Sequence, residues 1–507
     1  MAVPAAEPLS DIRLGVVHGT TYGLFGPPGE FVPQARALGS RIVRINVYWA
    51  QVEPEPGKLV WDAVDALLDQ LGDADEAWVT VVSSSRWATR RATGWLPASA
   101  ALDPAAYRRF VGALAGRRPG AIRFWQCEIE PCLPLFWAGT ATEYLAQLRD
   151  FHDTVKSADP AASVVLGGAV PGAMLGDDAA GARTWGNFFG QVLREAGAYF
   201  DIFDVHPYGD PYAIPGLVQA CHTQMTAHGY DKPVVASEHS GPLPTQFPAN
   251  RPYLADALTT HQQQFLGEIP MPDTAEGMAA AEDPAAVALY ERMDQLPPTL
   301  QMFMAGCAPE LEAERHRLAS RDLVIRTILA LSAGVRRNLH YPIASESQLH
   351  RDSRIAPALL FGKLELMARD GDIITHRYPA ADTFELMARR LDGMEGVERV
   401  VLPGRPGTYL FEVRRGGRGP LLVAWEREQV GAGADGWSEA ESGIRAGTPS
   451  AAAPPLASIQ SAPISYPWPH PTSSAVDIHG TPTPINLSRN QVHFPVSPTP
   501  IFIDSDQ

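Results

Sequence analysis

Short runs rich in β-branched and aromatic residues recur along the first 345 positions, with amphipathic stretches between them. Eight such runs stand out: IRLGVVH (12–18), RIVRINVY (41–48), AWVTVVS (77–83), IRFWQCEIE (122–130), SVVLGG (163–168), FDIFDVH (200–206), PVVASE (233–238) and RRNLHYP (336–342). The intervening segments follow a helical period. In 142–158 the apolar residues Tyr144, Leu145, Leu148, Phe151 and Val155 recur every three to four positions. Strand and helix alternating eight times predict parallel pairing and a closed (β/α)8 barrel. A doubly wound open sheet is the competing architecture, but no GxGxxG follows the first strand to support its nucleotide-binding form.

Two departures from the alternation matter. Residues 244–318 separate the seventh strand from the helical RDLVIRTILALSAG (321–334). Leaving the C-terminal end of a strand, this insertion is expected on the face where barrel enzymes carry their sites, as a wall or lid of the cleft. Beyond about residue 350 the pattern turns to strands: TYLFEVRRGGRGPLLVAWERE (408–428) reads as a hairpin, and the tail from 475 as short strands punctuated by Pro and Gly. Between them, 431–471 is rich in Gly, Ala, Ser and Pro and reads as a long irregular loop. The expected division is a barrel over 1–350, with its insertion at 244–318, and a β-sandwich-like domain over 351–507.

Composition narrows the partners. The 507 residues are 45% hydrophobic without an apolar run long enough to span a bilayer, so no membrane partner is expected. The opening MAVPAAEPLSDIRLG has no basic segment followed by an apolar one, which points to a cytoplasmic protein. Cys127, Cys132, Cys221 and Cys307 have neither CxxC spacing nor the density of a disulfide framework; they read as reduced thiols, and no metal site is expected. A net charge of -16 without long acidic runs repels phosphate backbones and disfavours nucleic acid.

The fourth run carries the chemistry. Glu128 and Glu130 stand two apart and should share a strand face, and Pro131 should end the strand with Glu130 extended at the barrel mouth. Glu238 ends the seventh run in the same way. Strands four and seven lie three apart in a ring of eight, so the two carboxylates should face each other. Such a pair is what glycosidic bond cleavage requires, one group donating a proton and the other attacking or activating water, with no cofactor. Glu128, one layer deeper, would need a cation or a proton, and Arg44 is the nearest cation by strand order.

The stretch FWQCEIEPCLPLFWAGTATEYLAQLRDFHDTVKSADPAASVVLGG (124–168) resembles the strand-four region of the clan of retaining (β/α)8 glycosidases, and is most similar to the family containing β-xylosidases and α-L-iduronidases. RIVRINVYWAQVEPEPGKLVWDAVDALL (41–68), FDIFDVHPY (200–208) and KPVVASEHSG resemble the clan's strands two, six and seven, so the likeness spans roughly 10–345. It implies that Glu130 is the acid/base and Glu238 the nucleophile, that Arg44 and Tyr208 hydrogen-bond the nucleophile, and that His206 lines the same wall. It places Trp49, Trp87 and Trp137 where an aromatic face could stack on a sugar, although loop packing is the alternative for each. The chain departs from the clan's pattern at Ile129, where Asn normally grips the substrate's 2-hydroxyl, at Cys132, and at LHYP on strand eight. The implied activity is retaining glycoside hydrolysis of a carbohydrate substrate; the alternative is a weak or inactive carbohydrate-binding relative.

Overall fold

The computed structural model describes residues 9–170, 179–265, 277, 281–344, 354–370, 373–427 and 463–505. Eight parallel strands close in chain order into a barrel: β1 (Arg13–Val17), β2 (Ile42–Tyr48), β3 (Glu76–Val82), β4 (Phe124–Cys127), β5 (Ser163–Ala169), β6 (Ile202–Val205), β7 (Val234–His239) and β8 (Arg337–His340), the last pairing back onto β1. Outside them run α1 (Val32–Ala37), α2 (Asp62–Gln70), α3 (Pro104–Ala115), α4 (Ala141–Ala158), α5 (Ala179–Glu195) and α6 (Ile214–Ala227). After β7 the insertion forms α7 (Arg251–Phe265) and α8 (Pro284–Tyr290), and α9 (Pro309–Ser332) leads into β8. In α4 the sequence signals act together: Thr140 and Glu143 form a reciprocal capping box, and Tyr144, Leu148, Phe151 and Val155 make the buried stripe.

The barrel interior is layered by strand alternation. Ile42, Trp78, Phe124, Val165, Ile202, Val235 and Leu339 form an apolar floor, each fully buried aliphatic or Phe side chain contributing about 1.5–3 kcal/mol. Gly15 makes the floor possible on β1, because a Cβ there would lie 2.4 Å from Ile42 Cγ2. Two residues further along the same strands, the inward positions become polar: Arg44, Thr80, Gln126, Asp204 and Ser237, all buried. Burying so many polar groups is costly unless each is bonded, and these bond one another beneath the mouth.

The insertion has a small core of its own, including Phe247, Leu254, Leu289, Leu300 and Phe303. Ala356 and Leu359 of α10 (Ala356–Phe361) join it, while Ile355 and Ala358 pack into the larger core around the barrel. The C-terminal part is the expected set of antiparallel sheets, with one helix among them. After the pair β9 (Met367–Asp370) and β10 (Ile373–Arg377) comes α11 (Pro379–Leu391), which packs on α9 through an apolar stripe including Phe384, Met387 and Leu391. The strands then run β11 (Met394–Val400), β12 (Thr408–Arg415), β13 (Leu421–Glu426), β14 (Ile464–Pro467), β15 (Ser473–Asp477), β16 (Asn486–Ser488), β17 (Gln491–Phe494) and β18 (Ile501–Ser505). They form a five-stranded antiparallel sheet (β11-β12-β13-β18-β15) and a three-stranded one (β14-β17-β16). Leu410, Leu422, Phe494 and Ile503 fill the space between the sheets, while Tyr409, Phe411 and Trp425 on the opposite face join the barrel's outer core. Trp425 Nε1 donates to the Tyr212 hydroxyl at 3.0 Å and ties the sheet to the loop after β6. The irregular loop expected over 431–471 falls outside the described residues as far as 462, and Ile464–Pro467 is strand.

Among the described residues no helix is long and apolar enough to cross a membrane. All four cysteines are free thiols.

Candidate active site

β4 is shorter than its apolar pattern suggests. It ends at Cys127, and Glu128 and Glu130 then adopt left-handed backbone angles, φ 64° and 40°. The turn breaks the two-residue alternation that would have put both glutamates on one face, and Glu130 is not extended before Pro131. Two non-glycine residues in this region cost of order 1–3 kcal/mol each, a strain that persists only where the surroundings hold it. What holds it here is the separate anchoring of the two carboxyls.

Glu128 turns away from the mouth. Its carboxyl accepts from the Ser83 amide (3.1 and 3.2 Å) and from Gln147 Nε2 (2.7 Å), pinning the end of β3 to α4. The Arg44 contact expected from strand order is not made. Burial pushes the Glu128 carboxyl up to about 8, against the opposing bonds from Ser83 and Gln147, so the proton and not a cation relieves the buried charge.

Glu130 turns inward to His206, whose Nδ1 lies 2.7 Å from Oε1. Glu238 comes from the end of β7, where a register shift against β8 between Ala236 and His239 lets consecutive residues Ser237 and Glu238 both reach the interior. Arg44 Nη1 donates to Glu238 Oε2 at 3.1 Å and Tyr208 donates its hydroxyl to Oε1 at 3.0 Å, so both oxygens of Glu238 are held. Oxygens of Glu130 and Glu238 and a ring nitrogen of His206 all lie within 4.8 Å of one another. Sequence reasoning thus assembled five of its eight residues in one cluster: Arg44, Glu130, His206, Tyr208 and Glu238.

The electrostatics separate the groups. Burial raises the Glu130 carboxyl, with His206 opposing and Glu238 adding to the rise. For His206 burial favours the neutral ring, but the charges of Glu238 and Asp204 and bonds to Asp204 and Glu130 outweigh it and lift the imidazole to about 10. Tyr208 is pushed well above its ordinary value by burial, then by the Glu238 charge and by nearby Tyr341 from the LHYP segment of strand eight. The trio Glu130, His206 and Glu238 is the one group among the described residues close enough to hold a metal ion. The raised imidazole favours the protonated ring, and a protonated ring nitrogen has no lone pair to give a cation.

The tryptophans lie elsewhere. Trp49 stacks on Phe110 (5.0 Å, 8°), and its Nε1 donates to Glu53. Trp137 lies edge-on to Tyr144 with Nε1 on the Thr140 carbonyl. Both are at most 2% exposed, their ring faces used in packing and not turned to the cleft. Trp87, half-buried, lies edge-on to Trp49 and donates to the Glu53 carbonyl. Phe25, 39% exposed, lies edge-on to the buried Trp95, from the loops after β1 and β3. Sequence reasoning passed over it, as it passed over Asp204 and Gln126, whose signal was their place two residues before His206 and Glu128 on their strands. Ile129 is 2% exposed and belongs to the outer apolar core.

On the insertion side, Phe361 lies edge-on to Tyr208 (6.0 Å) and packs on His261 of α7 (5.7 Å), which places α7 and α10 beside the mouth.

No protein-family description matches the chain, and no curated protein matches it in sequence. In structure it is similar to a family 39 glycoside hydrolase from the gut symbiont Bacteroides cellulosilyticus WH2, at a TM-score of 0.57 and 13% identity over 99% of this chain and 83% of that one. It is also similar to SrfJ from Salmonella typhimurium, at 0.52 and 9% over 99% and 91%, and to the catalytic domain of the family 30 xylanase C from Talaromyces cellulolyticus, at 0.51 and 10% over 99% and 99%. At these identities the likeness establishes a shared fold, a closed eight-stranded parallel barrel followed by antiparallel sheets.

Proposed function

We propose that this protein is a retaining glycoside hydrolase in which Glu238 is the nucleophile and Glu130 the acid/base. The observation that carries the reading is that one oxygen of each carboxyl lies within 4.8 Å of an oxygen of the other in the barrel mouth. Retaining enzymes keep the two carboxyls about 5–5.5 Å apart, whereas inverting ones leave about 6.5–9.5 Å for a water. The differing surroundings support the division of labour: Glu238 faces two donors, as a nucleophile should, while burial favours the protonated form of Glu130, as a general acid needs.

In the first step Glu238 attacks the anomeric carbon as the C1–O bond breaks and Glu130 gives its proton to the departing oxygen. In the second, water attacks C1, Glu130 takes the water's proton, and the C1–Glu238 bond breaks. The substrate class the reading favours is a β-linked or iduronide-like glycoside. Phe25 offers the exposed ring on which a sugar could stack, and α7 and α10 beside Tyr208 favour a closed pocket and terminal sugars over the interior of a long polymer. Two of the fold relatives are named as a glycoside hydrolase and a xylanase, which agrees with a carbohydrate substrate. The free thiols agree with a reducing, cytoplasmic setting.

Ile129 favours a second reading, a carbohydrate-binding relative with little turnover, because its side chain is in the apolar core and supplies no amide to a 2-hydroxyl. A panel of 4-nitrophenyl glycosides separates the two. Turnover of at least one sugar, absent in Glu238→Gln, supports the hydrolase; sugar binding without cleavage by the wild type supports the binder.

A further inference from the structure

Asp204 is wholly buried beneath the mouth, and most of the donors around it can be fixed from chemistry. Trp78 Nε1, which can only donate, points at Gln126 Oε1 (3.2 Å), so the amide is oriented with Nε2 toward Asp204 Oδ2 at 2.6 Å. Arg44 Nη1, also donor-only, gives to Ser237 Oγ at 2.9 Å, which leaves the hydroxyl hydrogen for Asp204 Oδ2 at 2.6 Å or His206 Nε2 at 3.3 Å, and the much shorter contact favours the carboxyl. The Ser237 amide gives to Oδ1 at 2.8 Å. The remaining neighbour is His206 Nε2, 3.2 Å from Oδ2. Two forced donors and the nearer Ser237 hydroxyl make Asp204 an acceptor. Although burial alone would raise its carboxyl, the charges of His206 and Arg44 and the bonds from His206 and Ser237 hold it below the usual range, so it is an anion and His206 Nε2 carries a hydrogen toward it.

That assignment decides what happens at the other ring nitrogen. If His206 were neutral, Nδ1 would be bare, and the Glu130 proton would sit on Oε1 as a hydrogen bond to the ring, unavailable to a leaving group. If His206 is the imidazolium, Nδ1–H donates to Oε1 and the Glu130 proton must sit on Oε2. Oε1 takes the histidine bond, and among the described residues Oε2 has no partner. Gly168 allows the ring to lie there, because a Cβ at that position would come within 2.2 Å of Nε2.

We propose that Asp204 is a positioning residue for the reaction: as a buried anion it holds His206 as an imidazolium, which keeps Glu130 Oε1 an acceptor and leaves the transferable proton on Oε2. The inference rests on Glu130 being the acid/base. Both histidine protons stay in place throughout. Oε2 loses its proton to the glycosidic oxygen in the first step and recovers one from water in the second, while the Nδ1–H bond steadies the carboxylate in between. The charged groups facing His206 are Asp204 on its own strand, Glu130 from the turn after β4 and Glu238 on β7, 3.9 Å from Nδ1, with Arg44 behind Glu238. His239 on β7 also feels its charge and is held neutral, by burial first and then by Arg326.

The test combines a titration with a rate measurement on the full chain. With selectively labelled histidine, NMR of the wild type should show His206 protonated at both nitrogens past pH 9. In Asp204→Asn its titration should fall by about 1–3 pH units, the effect of removing one close opposite charge. The same variant should lose roughly 10- to 100-fold in kcat/KM on glycosides with poor leaving groups, part of the general-acid contribution. It should lose little on activated aryl glycosides, and its loss should recover as the pH is lowered and His206 regains its charge. Asp204→Glu, which keeps the anion, should retain the imidazolium. A wild-type His206 that titrates near pH 6.5 overturns the proposal without recourse to any variant, and so does an Asp204→Asn loss equal for both leaving groups with no shift in pH profile. If no glycoside is turned over, it is the proposed function that fails, and the titration still decides whether Asp204 sets the charge of His206.

Discussion

Arg44 reaches from β2 across the barrel to Glu238 on β7, its Nη1 3.1 Å from Oε2, while its Nε is tied to the Thr80 hydroxyl at 3.0 Å. The arginine is wholly buried and Glu238 nearly so, which makes the pair costly to form and costlier to break. Glu238→Gln should therefore abolish turnover while the chain still folds, because the amide keeps an oxygen for Arg44. Tyr208→Phe removes only the bond to Oε1. A hydrogen bond to a charged group contributes about 1.5–3 kcal/mol, so kcat should fall roughly 10- to 100-fold. A kcat unchanged in Tyr208→Phe would place the hydroxyl outside the chemistry.

Glu130→Gln distinguishes a proton donor from a structural carboxylate. The general-acid contribution is about 10²–10⁴-fold and matters only where the leaving group needs a proton. Alkyl glycosides should lose rate by that order, and activated aryl glycosides should be spared in the first step. Equal losses for both substrates would remove Glu130 from the acid's role.

Glu128 makes stability depend on pH. Its folded-state value of about 8 stands above the ordinary 4.5, so the folded chain binds this proton more tightly between those limits. Its contribution is then fully present below pH 4.5 and is lost as the pH rises through 8. Glu128→Gln keeps an acceptor for Ser83 and Gln147 and cannot ionise. Urea unfolding at pH 5 and pH 9 should show the variant gaining on the wild type as the pH rises; parallel pH dependences would mean that Glu128 is not buried as a neutral acid.

Ile129→Asn would supply the residue type that the resemblance of 124–168 to retaining glycosidases implies here, and the sequence alone suggests a gain in kcat. The structure points the other way. Ile129 lies in the outer apolar core, where an amide without partners costs about 1–3 kcal/mol. The variant should lose that stability in thermal or urea unfolding without gaining turnover, and a rise in kcat at unchanged stability would contradict the placement.

The strands were legible because a barrel covers both faces of each one, so the eight apolar runs carried a strong signal, and Glu130 and Glu238 stood out at their ends. What escaped was set by backbone angles and tertiary contacts that no local pattern encodes. The left-handed turn at Glu128 and Glu130 sent the two side chains to different places, and Glu128 found Ser83 and Gln147 instead of Arg44. Trp49 and Trp137 sit at the right places in sequence to meet a sugar, yet neighbouring aromatic rings claim them. The helix α11 was legible in principle, from Pro379 at its first turn and the spacing of Phe384, Met387 and Leu391, but it was masked by the strands that follow.

The most direct test of the central claim is the configuration of the first product. Proton NMR of an aryl glycoside cleaved by the wild type, recorded before mutarotation, should show the anomer of the substrate, because two displacements at C1 through Glu238 restore the original configuration. An inverted first product would contradict the double displacement and the roles assigned to Glu130 and Glu238.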